Sequence, residues 1–154
     1  MKPASSFETS KRGKANNDHT IRFFTDGSGA RLDGEGSGFA WLREDTGESH
    51  AELVRALTNN QAECHSVLSA LKSVARCSKV EISNDSQVVV GLLSGQFAVR
   101  DANLADLVGM IQTVIGENQL SVAFRWIPRQ QNRADKILQR AKGAARLVTT
   151  KKEI

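Results

Sequence analysis

The sequence predicts one α/β domain: a five-stranded mixed sheet with an antiparallel meander at one edge and helices on both faces. Two observations lead there. Three strand-like segments follow one another through short glycine-bearing turns, and the apolar spacing then changes from alternation to steps of three and four, giving the order βββαβααβα. Strands joined by short turns pair antiparallel, whereas strands separated by a helix pair parallel by crossover, so the sheet is mixed.

In order, "TIRFFTD" (20–26), "GSGFAWLRE" (36–44) and "ESHAELVRAL" (48–57) are the meander strands, separated by "GSGARLDGEG" and "DTG". Cys64, Val67, Leu68, Leu71, Val74 and Ala75 then form one apolar stripe, which predicts a helix over about 60–76 packed on the sheet. "KVEISND" is a short strand, and "SQVVVGLLSG" a short apolar helix closed by Gly95. A further helix over about 103–116 presents Leu104, Leu107, Val108, Ile111, Val114 and Ile115 on one side. "LSVAFRWIP" makes the last strand and 131–147 the last helix. Trp41 and Trp126 fall in strands and are expected in the core.

Composition sets the outer limits. A chain of 154 residues that is 40% hydrophobic is one domain's worth of core. Residues 1–18 are polar and aperiodic and read as a flexible tail; 19–148 hold the domain and 149–154 a C-terminal tail. The net charge of +4 and pI near 9.3 suit a polyanionic partner without requiring one. Cys64 and Cys77 read as separate turns of one helix, which excludes a bridge within it and points to reduced thiols and a cytoplasmic location. No apolar run approaches the roughly 18 residues of a membrane span, so a soluble protein is expected, with no membrane contact.

Four acidic residues fall at informative places. Asp26 closes the first strand, Glu63 stands in the first turn of the first helix, Asp85 closes the fourth strand and Asp135 opens the last helix. If the first and fourth strands are parallel neighbours, Asp26 and Asp85 meet at their C-terminal ends, where open α/β sheets bind ligands, and the two helices bring Glu63 and Asp135 to the same end. Each residue alone also has a structural reading: Asp26 as a turn residue, Glu63 as partner of Asn60 in a capping box, Asp85 as an N-cap, Asp135 as a solvated charge. Together they are costly, because two carboxylates about 4 Å apart repel by roughly 4 kcal/mol at a protein surface. Cations offset that repulsion. An oxygen-only donor set suits Mg²⁺ or Mn²⁺ rather than zinc, and a pair of such ions suits phosphodiester hydrolysis.

"TDGSG", "TNNQAE", "SNDSQ" and "WIPRQQNRAD", in this order and on these elements, resemble the four acidic motifs of ribonuclease H type 1. The resemblance covers about 20–141. It implies a ribonuclease H-like fold, endonucleolytic cutting of the RNA strand of RNA–DNA hybrids, and Asp26, Glu63, Asp85 and Asp135 as catalytic carboxylates holding two Mg²⁺ ions, with Mn²⁺ as substitute. It also implies substrate contacts from Gly27, Ser28, Thr58, Asn59, Asn60, Gln87, Arg129 and Asn132, and a monomer acting on the hybrid duplex. These polar neighbours suit a groove lined by 2′-hydroxyls, although Asn59 and Asn60 also suit a helix cap. The basic residues Arg129, Arg133, Lys136, Arg140, Lys142 and Arg146 fit either phosphate contacts or a solvated helix face.

Two departures stand out. Many members carry a histidine in the loop before the last aspartate, and "RWIPRQQNRAD" has none, which leaves Arg129 or Gln130 as replacements and the general acid unassigned. Many also carry a basic, Trp-rich helical handle, where this chain has the short "LLSGQFAVRDANL", as in the handle-less, archaeal-like branch. A transposase- or resolvase-like nuclease of the same fold, a nuclease for duplex RNA, and a catalytically silent nucleic-acid-binding module remain the alternatives.

Overall fold

The structure, a computed structural model, describes residues 19–153, with side chains as far as Arg146; the tail expected at 1–18 lies outside the described residues. Strands β1 (Thr20–Ser28), β2 (Gly38–Arg43) and β3 (Ser49–Leu53) form the meander. Helix α1 (Asn59–Lys72), strand β4 (Lys79–Asn84), helices α2 (Gln87–Leu93) and α3 (Ala102–Glu117), strand β5 (Ser121–Trp126) and helix α4 (Ala134–Glu153) follow, with a 3-10 turn at Arg129–Gln131 before α4. This is the order that the change of periodicity predicts.

The five strands lie in the order β3-β2-β1-β4-β5. β1 pairs antiparallel with β2, placing Asp26 opposite Ala40, and parallel with β4, which in turn runs parallel to β5. Alternation along the central strands divides the core. Ile21, Phe23 and Trp41 join Val67, Leu68 and Leu71 of α1 and Leu107 and Ile111 of α3 in one apolar cluster, with the Phe23 and Trp41 rings edge-on at 5.4 Å. Phe24 and Leu42, one step along, face the other way: Arg133 stacks over Phe24 at 5.6 Å, and buried Leu138 anchors α4 on that side. Helices therefore cover both faces.

The element ends differ from the periodicity in instructive ways. α1 stops at Lys72 rather than 76, closing on a tightened turn in which the Ser73 N–H and hydroxyl both donate to Ala70 O, at 3.1 and 2.6 Å. Cys77 then sits in the left-handed region at φ 66, so the two cysteines are on different elements, and both are free. The capping box at the start of α1 is made by Thr58 and Gln61, not by Asn60 and Glu63, which leaves the Glu63 carboxylate available. Ser86 rather than Asp85 caps α2, accepting from Val89 N at 3.2 Å. α4 continues to Glu153, past the expected 147, so the segment taken as a C-terminal tail begins as helix. Trp126 is 44% exposed rather than in the core, since it ends the edge strand β5, where no further strand covers it. Only a loop separates α2 from α3, the handle-less connection that the sequence implies.

Candidate active site

Parallel pairing of β1 with β4 brings Asp26 and Asp85 together at the C-terminal edge of the sheet's centre. Helix α1 reaches the same edge because Gly27 has no side chain: a Cβ there would stand 2.6 Å from Ala62 O and overlap Ala62 C and Glu63 N. Carboxylate oxygens of Asp26, Glu63 and Asp85 consequently lie within 4.8 Å of one another. Asp135 stands outside that tight trio but against it, its charge acting directly on Asp26. Its Oδ1 is buried without a hydrogen-bond partner, with Arg129 Nη2 at 3.7 Å.

The electrostatics follow from burial and crowding. Burial, then the charges of Asp85 and Asp135, push the Asp26 carboxyl up to about 7, against the pull of Arg129. Burial and Asp26 push Glu63 up to about 8, with a hydrogen bond from Asn84 working the other way. Burial and Glu63 likewise raise the Cys64 thiol to about 12, so this residue is an inert neighbour. Crowding of this kind disfavours full ionisation of the centre, a cost that a bound divalent cation would offset. The donor chemistry fits a hard divalent ion: oxygen ligands only, several carboxylates in reach, and a buried Asp135 Oδ1 with no donor among the described residues while Asp26 is ionised.

Two asparagines fix the carboxylates, and the sequence reading missed the role of both. Asn84 is fully buried and donates its amide to Glu63 Oε1 at 2.9 Å and to Thr25 O and Oγ1 at 3.1 and 3.0 Å. Asn132, expected as a substrate contact, is 4% exposed and engaged internally: Nδ2 donates to Thr25 O at 2.9 Å and Asp85 Oδ2 at 3.1 Å, and Oδ1 accepts from Ala134 N at 3.1 Å. Its signal was its position just before the last helix, where an Asn caps the chain. Trp126 Nε1 donates to Asp85 O at 3.1 Å, holding a half-exposed indole beside the centre.

The remaining expected contacts divide in two. Thr58 is committed to its capping box and Gly27 to the crossing of α1. Asn59 holds the next loop, accepting from Gly29 N at 2.7 Å, yet is exposed, as are Gln87 and Arg129; Asn60 is half-buried. Ser28 accepts from Lys142 Nζ at 2.5 Å, a contact across 114 residues of chain.

Fold and site together define a hydrolytic α/β enzyme whose acidic centre lies across parallel strand ends. Residues 18–128 match the family described as RNase H, a match that stops short of Asp135. Among solved structures, the N-terminal RNase H domain of a Mycobacterium tuberculosis protein superposes with a TM-score of 0.71 at 23% identity, covering 84% of this chain and 98% of that one. RNase H1 from the halophilic archaeon Halobacterium salinarum gives 0.71 at 24% identity, covering 81% and 98%. LC11-RNase H1, solved in complex with an RNA/DNA hybrid, gives 0.67 at 27% identity, covering 78% and 94%. The chain belongs to the RNase H family and is a type 1 ribonuclease H of the handle-less form.

Proposed function

We propose that this enzyme cuts the RNA strand of RNA–DNA hybrids endonucleolytically, with Asp26, Glu63, Asp85 and Asp135 holding two divalent cations, Mg²⁺ or Mn²⁺. The observation that carries this reading is the trio of carboxylates within 4.8 Å, two of them pushed up toward neutral pH by burial and mutual repulsion. When bound, the cations neutralise the centre and supply Lewis-acid activation for attack at a phosphodiester. The chain's own residues do the rest. Asn84 and Asn132 keep Glu63 and Asp85 oriented, as ligating carboxylates need. Exposed Asn59 and Gln87 and half-buried Asn60 supply amides able to read 2′-hydroxyls, the groups that distinguish RNA from DNA sugars. Arg129, beside Asp135, is the cation placed to steady the departing phosphate in a loop without histidine. LC11-RNase H1, 27% identical and bound to a hybrid, supports the substrate class. Free Cys64 and Cys77 support a reducing, cytoplasmic setting, and the enzyme is taken to act as a monomer. Among the described residues no helix is long and apolar enough to cross a membrane.

The test is incubation with labelled RNA–DNA hybrid, duplex RNA and duplex DNA, each with Mg²⁺ and with chelator. The expected result is metal-dependent cutting of the hybrid's RNA strand alone. Equal attack on duplex DNA would move the enzyme to the transposase-like reading, and binding without cutting would make it a silent module.

A further inference from the structure

On the α4 side of the sheet a cleft of 820 Å³ reaches toward the acidic centre at Ser28 and Lys142, whose ammonium feels the charges of Asp26 and Asp135. Its walls come from the β1–β2 loop, the end of β3 and α4, and its polar lining is dominated by Arg31, Arg55, Lys142 and Arg146, with Glu35 the one carboxylate among the lining residues. Arg55 is ion-paired with Glu35 and donates to Asp33 O at 3.0 Å, and Arg31 reaches Asp33 at 3.6 Å. Lys142 and Arg146 have no ion-pair partner among the described residues; Lys142 donates only to the neutral Ser28 hydroxyl. The cleft thus carries surplus positive charge, and its inner end is tied to the acidic centre through Ser28, two residues beyond Asp26.

That juxtaposition has a physical consequence. A polyanion is repelled by a cluster of carboxylates, and an adjacent basic channel lowers the polyanion's energy along one direction of approach. Long cationic side chains around an open cleft with few hydrogen-bond acceptors suit phosphate oxygens, which position a duplex without reading its sequence. Leu53, Val54 and Ala145 between the cations offer apolar surface to sugars.

We propose that this cleft is a second nucleic-acid site, in which Arg31, Lys142 and Arg146 clamp the phosphodiester backbone of one strand of the duplex beside the acidic centre. It deepens, and rests on, the reading of the enzyme as a hybrid-cutting nuclease. The site is indifferent to base and sugar and sets affinity and the direction in which the backbone leaves the centre.

The experiment uses the full chain and the variant Arg31→Ala/Arg146→Ala, with Lys142→Met alongside, each checked for an unchanged melting temperature. Hybrid binding is measured by anisotropy in chelator across a salt series, and cleavage by steady-state kinetics in Mg²⁺. The double variant is expected to raise KM about tenfold at unchanged kcat, and to flatten the slope of log K against log salt by about one to two. Methylphosphonate linkages placed singly in the DNA or the RNA strand identify the strand: the contacted linkage weakens wild-type binding and adds nothing in the variant. Unchanged KM and slope in folded double variant would overturn the clamp, as would a fall in kcat with the slope intact. Duplex DNA serves as a separate arm, because a backbone clamp loses the same increment there. If the wild type does not cut hybrid, the functional reading fails while this arm still decides the cleft.

Discussion

Asn132 donates its side-chain amide to Asp85 Oδ2 at 3.1 Å, joining the residue just before α4 to the carboxylate just after β4. The same nitrogen donates to Thr25 O at 2.9 Å, so one buried amide ties together the ends of β1 and β4 and the start of α4. Replacing it with alanine leaves Thr25 O to Asn84 but removes the donor to Asp85 Oδ2 and the acceptor for the buried Ala134 N–H, a loss of about 1–3 kcal/mol. Asn132→Ala is expected to lower stability in urea by that order and to reduce kcat far more than it raises KM, since Asp85 loses its orientation. Unchanged kcat would show that Asp85 needs no such support.

Gly27 is expected to tolerate no side chain. Gly27→Ala forces Cβ into the backbone of Ala62 and Glu63, and overpacking of this kind costs about 1–3 kcal/mol, here with displacement of α1. Loss of hydrolysis and a lower melting temperature should appear together. Gly143→Ala, which meets nothing within 4 Å on α4, is the matched control and should be neutral or slightly stabilising.

The proton content of the acidic centre gives a pH signature. Asp26 rises from 3.8 to about 7 and Glu63 from 4.5 to about 8 on folding, so the folded protein keeps protons that the unfolded chain releases. Stability of the metal-free protein is therefore greatest below about pH 4 as far as these two groups are concerned, and falls as pH rises through about 8. A cation binds the deprotonated form. The Mg²⁺-induced rise in melting temperature should thus be larger at about pH 8.5 than at about pH 5.5. Equal shifts at the two pH values would refute the shared centre.

Activity and stability should part at Asp26. Above about pH 8, where Asp26 is ionised, Asp26→Asn removes one charge from a repelling group, so the metal-free protein is expected to gain about 1 kcal/mol there while hydrolysis falls at least about a thousandfold. Calorimetry in chelator and a hybrid-cleavage assay check the two halves independently.

The strand and helix order was legible because burial imposes periodicity: "TIRFFTD" alternates, and Cys64 to Leu71 step by three and four. The meeting of Asp26 with Asp85 was legible too, as a consequence of parallel crossover between β1 and β4. Other features turn on contacts that no local pattern encodes. Asn84 and Asn132 look like ordinary polar residues until their partners at Thr25 and Glu63 arrive from distant parts of the chain. Trp126 looked like core because a strand pattern does not reveal which strand lies at the edge. The ends of α1 and α4 shifted because Val74 packs on the core from beyond the end of its helix, and because basic residues continue a helix as readily as apolar ones.

The centre is assembled from four elements, and the last of them, α4, is also the last to be synthesised. A nascent polypeptide that has left the ribosome only through β5 already carries Asp26, Glu63 and Asp85, yet lacks Asp135 and the Asn132 amide that steadies Asp85. Order along the chain thus leaves the acidic centre unfinished until α4 has emerged and docked on the sheet.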